Sequence, residues 1–364
     1  MDQKSTTIIN CSQCNATSFR PSGDSTSHRC LKCATSVSAS TKEDPVARRF
    51  SVKGLASRLY KNREKKNSMP NNYSSMNVKP RTSTARSNKR ALLCGVTYNN
   101  KRKYRLKGTI NDVQNMRDLL ITKFGYPDHS IRVLTEFEDK EFHPTKKNIE
   151  TSLKWLVQDC QRGDKLVFYF SGHGLRQPDF QDDELDGFDE TICPVDFMQE
   201  GMVLDNEINT YIVRPLKEGV ILHAIVDACH SGTILDLKYV YDYKNNKWID
   251  NSPPSGVNKG TSGGLAICLS ACEDSQLAAD TTPHSGNNMN GALTYIFVES
   301  LKKNPDLTYA DLLLELDESI KEAAVHDKCF HSRKLARIFR RRVLQEPLLS
   351  SSQKIDVNTY RVLQ

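Results

Sequence analysis

Two segments of the chain set reactive side chains close to glycine. One reads Val167-Phe168-Tyr169-Phe170-Ser171-Gly172-His173-Gly174, the other Ala224-Ile225-Val226-Asp227-Ala228-Cys229-His230-Ser231-Gly232. Each is an apolar run that ends abruptly in small and polar residues. A cysteine sulfur becomes an effective nucleophile toward a carbonyl carbon when an imidazole lies within reach, a pairing made in space and not in sequence. Gly172 and Gly174 beside His173, and Gly232 shortly after Cys229, let a substrate backbone approach closely. Three histidines compete as the partner of Cys229. His230 is adjacent, so on an extended backbone it points to the opposite face. His223 lies upstream on the same run, about 20 Å away at about 3.3 Å per residue. His173 alone ends a different run. A second constellation stands near the N-terminus, where Cys11-Ser12-Gln13-Cys14 is followed by Cys30-Leu31-Lys32-Cys33. Four thiolates so spaced suit one tetrahedral Zn²⁺, and closing such a site needs no apolar core. His28, two residues before Cys30, is the weaker candidate ligand.

The elements that must position Cys229 and His173 follow from the hydrophobic pattern. Short apolar runs at 91–96, 131–134, 166–170, 220–226 and 265–270 read as buried strands. Between them, Val113, Met116, Leu119, Leu120 and Phe124 have helical spacing, as do Ile149, Leu153, Leu156 and Cys160 after Thr145. Two more helices are predicted, from Ala292 and from Thr308, where Thr308 and Asp311 form a capping box. Strands alternating with helices argue for an α/β domain with a mainly parallel sheet, whose sites form beyond the carboxyl ends of the strands. If the runs ending at 170 and 226 are parallel neighbours, His173 and Cys229 share that edge. Asp227 has the same strand parity as Cys229, which places its carboxylate on the catalytic face. Cys94, on the first strand, reads as a core thiol, with a reserve nucleophile as the lesser alternative.

Composition divides the chain. Of its 364 residues, 51 are Lys or Arg and 44 Asp or Glu, a net charge of +7. Residues 1–90 hold 18 basic and 5 acidic residues (+13), and residues 91–364 hold the remaining 33 and 39 (−6). Residues 36–88 lose all hydrophobic periodicity and read as a disordered basic linker. Its Lys61-Asn62-Arg63-Glu64-Lys65-Lys66 run lacks the interleaved aromatics that base stacking wants, which argues against nucleic-acid binding. No run approaches the ~18 apolar residues of a membrane span, and the opening Met1-Asp2-Gln3-Lys4 is no secretory signal. The eleven cysteines therefore read as thiols, ligands or nucleophiles of a cytosolic or nuclear protein.

With these residues assembled, a resemblance is plain. Both Gly-flanked motifs, and the closing Gln345-Glu346-Pro347, resemble those of metacaspases, the caspase-like cysteine peptidases of plants, fungi and protists. The head is similar to the zinc finger of lesion-simulating-disease proteins and of type I plant metacaspase prodomains, with Ser18-Phe19-Arg20 standing where that finger carries an apolar run. The resemblance implies a finger over 1–35, the linker over 36–88 and a caspase-like peptidase domain over 89–364, split into 89–243, a linker 244–262 and 263–364. It implies Cys229 as nucleophile, His173 as general acid, the N–H groups of Gly174 and Cys229 as oxyanion donors, and cleavage after Arg or Lys through Asp112, Asp227 and Ser171. It also implies Ca²⁺ as activator, held by Asp189, Asp205, Asn206 and Asp236, one Asn among hard oxygen ligands lowering the site's charge. Its partners would be protein substrates and, through the finger, regulatory proteins; the protein would be monomeric and act in regulated cell death or stress responses.

Residues 239–264, with Lys244, Lys247, Lys259, Pro253 and Pro254, read as an exposed loop, suited equally to self-cleavage and to being a tolerated insertion. A different class of function also fits: a non-catalytic adaptor whose caspase-like domain only binds partners. For the head, binding free energy is folding free energy. Metal analysis is expected to find about one Zn²⁺ per chain, in keeping with a four-thiolate site. Cys11→Ser with Cys14→Ser is expected to abolish it; full retention of zinc would refute the finger.

Overall fold

The computed structural model describes residues 6–10, 17–21, 28–29, 36–37, 75–77, 86–180, 184, 187–229, 231–253, 255–272, 280–281, 290–325 and 346–364. Cys11, Cys14, Cys30, Cys33 and His230 lie outside them. The chain divides into two units, Met1–Ser74 and Ser75–Gln364. In the first, β1 (Thr6–Asn10) pairs antiparallel with β2 (Thr17–Pro21), and β3 (His28–Arg29) with β4 (Ser36–Val37).

The second unit begins ahead of the expected start at residue 89. Glu138 is the reason: its carboxylate accepts hydrogen bonds from Ser75 Oγ, from Met76 N at 2.8 Å and from Asn77 Nδ2 at 2.9 Å. Asn77 also bonds the backbone of Val133 in both directions, each at 2.9 Å.

Its elements follow the predicted alternation. They are β5 (Lys89–Gly95), α1 (Thr109–Thr122), β6 (Ile131–Leu134), α2 (Lys146–Val157), β7 (Lys165–Ser171), β8 (Gly174–Pro178), β9 (Phe188–Ile192), β10 (Val203–Leu204), β11 (Ile221–Asp227), β12 (Tyr239–Asp242), β13 (Lys247–Asp250), β14 (Leu265–Cys272), β15 (Asp280–Thr281), β16 (Asn290–Gly291), α3 (Ala292–Lys303), α4 (Tyr309–Val325) and β17 (Glu346–Ser351). Among the described residues the main sheet has the order β13-β12-β17-β14-β11-β7-β5-β6. Strands β14, β11, β7, β5 and β6 run parallel, and β17, β12 and β13 are added antiparallel. A smaller antiparallel sheet, β10-β9-β8, grows from the segment after His173. This is a caspase-like arrangement, a mostly parallel sheet flanked by helices.

The parallel strands are continuous apolar runs because both faces are covered. On one face Leu92, Phe168, Phe170, Leu222 and Val226 pack in one core with Ile149, Leu153 and Leu156 of α2. On the other, Tyr169 reaches Thr294 of α3 (Oη to Oγ1, 2.8 Å) and Ser171 reaches Asp112 of α1. Caps match the sequence: Thr145 Oγ1 accepts from Asn148 N at 3.3 Å, and the Thr308–Asp311 box closes reciprocally. Gly95 has a specific task, since a β-carbon there would lie 2.9 Å from the Thr109 carbonyl oxygen and 2.7 Å from Val113 Cγ2. Only glycine lets the first turn of α1 rest on the end of β5. No helix of the described residues is long and apolar enough to cross a membrane.

Residues 239–264 are not the open loop expected. Tyr239, Val240 and Tyr241 alternate as a strand, so β12 pairs with both β13 and β17, and Tyr241 packs on Trp248 at 5.0 Å between ring centroids. Lys244 and Lys247 are exposed there as expected. Lys259 is buried instead, because Glu184 and Asp236 supply carboxylates to its ammonium group.

His223 is a core residue. It is fully buried, with Nδ1 2.7 Å from Tyr309 Oη, and burial pushes its pKa down to about 3. Its folded value lies below the unfolded one, so this contribution to stability is intact above the unfolded pKa near 6.5 and is lost as pH falls toward about 3. In that window the native protein is expected to lose up to about 1.4 kcal/mol per pH unit from this residue. Urea unfolding between neutral and acid pH, compared with His223→Gln, checks it; equal slopes in the two proteins would refute the assignment.

Candidate active site

The register of three strands brings the reactive residues to one edge. Ser171, the last residue of β7, pairs with Asp227, the last of β11, and with Gly95, the last of β5. Two residues beyond these level ends come His173 and Cys229. Gly172 N donates to the Asp227 carbonyl at 3.4 Å, so the chains stay together past the sheet. A β-carbon on Gly174 would lie 2.0 Å from the Cys229 carbonyl oxygen, so the position admits glycine alone. The backbone of Gly174 therefore sits directly against that of Cys229, where the two expected oxyanion donors are wanted.

Two tyrosines fix the imidazole. His173 Nε2 lies 2.7 Å from the Tyr104 carbonyl oxygen. A carbonyl only accepts, so Nε2 carries the proton and Nδ1 is the nitrogen that gains and loses one. Tyr98 packs tilted against the ring at 4.7 Å between centroids, accepts from the His173 N–H at 3.0 Å and donates to the Cys193 carbonyl at 2.6 Å. Tyr98 is fully buried with φ of +52°, a conformation costly for a bulky residue. Glu136 holds it there, accepting the backbone N–H groups of Thr97, Tyr98 and Asn99. Burial pushes the Tyr98 phenol far above its usual range, so it stays a neutral donor.

Three other cysteines of the core are not alternatives to Cys229. Burial raises the Cys94 thiol well above the ordinary range, and Cys193 and Cys268 are each pushed up to about 12. All three remain thiols at neutral pH.

Beside the dyad the structure buries two carboxylates. Asp112, in the first turn of α1, is 1% exposed and accepts from Ser171 Oγ at 3.2 Å. Asp227, 4% exposed, accepts from Thr294 N at 2.9 Å and Thr294 Oγ1 at 2.6 Å, in the first turn of α3. Helix N-termini thus face both acids. Both charges also act on Tyr169, whose phenol is driven far up by burial first and then by Asp112 and Asp227. Two carboxylates and the Ser171 hydroxyl therefore converge at the catalytic edge.

A second acidic cluster lies between the small sheet and the segment after Cys229. Single carboxylate oxygens of Glu184, Asp189 and Asp205 lie within 4.8 Å of one another. Asp205 accepts from Glu190 N at 2.6 Å and Asn206 N at 2.7 Å, so Asn206 meets the cluster through its backbone. Burial, then Asp236, Glu190, Asp189 and Glu184, push the Asp205 carboxyl far up. Asp236 is raised by burial and by Glu184, against the opposing pull of Lys259. Glu190 is answered by Arg176 at 2.8 Å.

Residues 89–238 match the family model for the metacaspase peptidase C14 domain. The chain is 48% identical to Metacaspase-1 of Arabidopsis thaliana over 238 residues, 64% of this chain and 65% of that protein. It is 47% identical to Metacaspase-2 of the same plant, covering 64% and 57%, and 43% identical to Metacaspase-3 over 278 residues, 74% of each. The chain belongs to the metacaspases. It spans less than two thirds of the length of the first two of these relatives.

In this metacaspase the structure brings together Cys229, His173 and Gly174, and separately Asp112, Asp227 and Ser171. Of the expected calcium ligands it gathers Asp189, Asp205 and Asp236, with Glu184 added. Sequence reasoning missed Tyr98, Tyr104, Glu136, Thr294, Glu184 and Lys259. Thr294 carried a usable signal, a hydroxyl two residues into a predicted helix start. Tyr98 carried none, because its role exists only once residues 98, 173 and 193 meet.

Tyr98→Phe removes one hydroxyl and strips partners from two buried backbone groups, at about 1–3 kcal/mol. In a peptidase assay kcat/KM is expected to fall roughly 5- to 150-fold at 1.4 kcal/mol per tenfold, with the rate of Cys229 alkylation unchanged. An unchanged pH profile and rate would show that the hydroxyl does not position His173.

Proposed function

We propose that the protein is a cysteine endopeptidase that cuts after Arg or Lys and is stimulated by Ca²⁺. The observation that carries the reading is the level register of β7 and β11, which brings the chain end carrying Cys229 beside the one carrying the glycine-flanked His173. In the reaction the Cys229 thiol gives its proton to His173 Nδ1, its sulfur attacks the scissile carbonyl, and the Gly174 and Cys229 N–H groups hold the oxyanion. His173, steadied at Nε2 by Tyr104, gives a proton from Nδ1 to the departing amine. The acyl group is left on sulfur as a thioester, and water, losing a proton to His173, then frees the acid and the thiol. Cleavage after Arg or Lys is supported by Asp112, Asp227 and Ser171, since a cation entering a desolvated pocket needs carboxylates.

Calcium is supported by the donor set of the second cluster. Glu184, Asp189, Asp205 and Asp236 offer hard oxygens, the ligands Ca²⁺ takes, and a protein cation, Lys259, already sits among them. Bound Ca²⁺ would neutralise these carboxylates. Exposed Lys244 and Lys247 are the sites we assign to self-processing. The zinc finger as a docking module, a cytosolic or nuclear location, the monomeric state and a role in regulated cell death rest on the family resemblance.

The test is hydrolysis of Arg-, Lys- and Asp-ending fluorogenic peptides with and without Ca²⁺. Cys229→Ala is expected to abolish cleavage, and activity surviving it would end the reading. Truncating one member of a buried charge pair costs ~2–5 kcal/mol. Asp112→Ala is therefore expected to lower kcat/KM for Arg peptides roughly 30- to 4,000-fold at 1.4 kcal/mol per tenfold. Wild-type cleavage after Asp as fast as after Arg would refute the pocket assignment.

A further inference from the structure

Lys259 is the anomalous member of the second acidic cluster. A buried ammonium group is tolerated only where carboxylates surround it. Here Nζ pairs with Glu184 and lies 3.1 Å from Asp236 Oδ1, and the side chains of all three are almost entirely enclosed. The lysine does not come from the elements that build the cluster. It comes from the segment joining β13 to β14, whose residues 255–258 are exposed. The backbone is pinned at the same point, where Asn209 Nδ2 donates to the Lys259 carbonyl at 3.1 Å and to that of Leu235 at 3.0 Å. A cavity of about 290 Å³, lined among others by Asp236, Lys238, Asn251 and Gly256, opens beneath this segment.

Two cations thus have a claim on the same oxygens. Glu184 belongs both to the Lys259 pair and to the group of carboxylates close enough to share one ion. Ca²⁺ takes 6–8 oxygens at 2.3–2.6 Å, so Glu184 and Asp236 cannot serve it while also holding an ammonium group. Lysine is suited to yielding, since its charge is a strongly hydrated point on a flexible four-carbon stem that regains water on leaving.

We propose that Lys259 is the protein's own occupant of the cation site, and that Ca²⁺ evicts it and turns the Lys259 stretch out to solvent. The proposal rests on the calcium reading above. It gives the acidic cluster a threshold, since Ca²⁺ must outcompete a tethered ammonium group before it binds. It also couples binding to a structural event, the unveiling of a lysine between the two halves of the main sheet.

The experiment uses the full chain carrying Cys229→Ala, which cannot process itself. Ca²⁺ binding is followed by titration calorimetry, and lysine accessibility by acetylation with an N-hydroxysuccinimide ester and mass spectrometry. Lys244 and Lys247 serve as exposed references. Acetylation of Lys259 is expected to rise at least about tenfold when Ca²⁺ saturates the protein, approaching the references. Removing the competitor in Lys259→Met is expected to tighten Ca²⁺ binding by about tenfold, the loss of one nearby like charge. Calcium heat with Lys259 as protected as before would overturn eviction and leave the calcium reading standing. No calcium heat at all would overturn the calcium reading itself and this proposal with it.

Discussion

The parallel alignment of β5, β7 and β11 is the constraint from which the rest of the site follows. Backbone hydrogen bonds set Gly95, Ser171 and Asp227 level at the carboxyl ends of adjacent strands. A slip of one residue would turn every side chain on a strand to the other face. It would bury His173 or Cys229 in the α2 core and point an apolar residue at the substrate. Apolar runs buried on both sides make such a slip prohibitive, so the packing that stabilises the sheet also aligns the dyad. Gly95 extends the same logic, because its missing side chain lets α1 dock low enough for Asp112 to meet Ser171.

Charge burial is the second organising effect, and it is handled differently at the two acidic sites. At the dyad edge, Asp112 and Asp227 are stabilised by dipoles: a serine and a threonine hydroxyl, a backbone N–H and two helix N-termini. Such dipoles reduce the cost of burying negative charge. At the second cluster the compensation is a full positive charge, Lys259, with Arg176 on Glu190.

The sequence conveyed what depends on local pattern. Apolar runs, the Thr145 and Thr308 caps and the glycines beside His173 are read within a few residues of each other, and the structure has them where they were expected. Asp227 was legible from strand parity, and His223 could be set aside from distance along its strand. What was illegible depends on meetings between distant segments. Tyr98 matters because its hydroxyl spans His173 and Cys193, and Glu136 because it collects three N–H groups of the loop after β5. Lys259 was misread because Pro, Gly and Lys around it suggest an exposed loop. Composition describes the neighbours of a residue in sequence, and the carboxylates that bury Lys259 come from residues 184 and 236.

The same contrast explains why the strained and the buried polar residues cluster around the dyad. The strand ends are rigid because both faces of the sheet are packed, but the loop after β5 has no ladder to fix it. It is fixed instead by Glu136, which makes a left-handed Tyr98 tolerable, and by Leu106 N, which donates to the Thr97 carbonyl at 3.0 Å. That loop supplies the Tyr104 carbonyl that decides which nitrogen of His173 carries the fixed proton. Protonation chemistry at the site is therefore set by a loop, and reach by the sheet. A substitution in the apolar core would act on both, since it moves the strand ends, whereas one at Glu136 would loosen the imidazole and leave Cys229 in place.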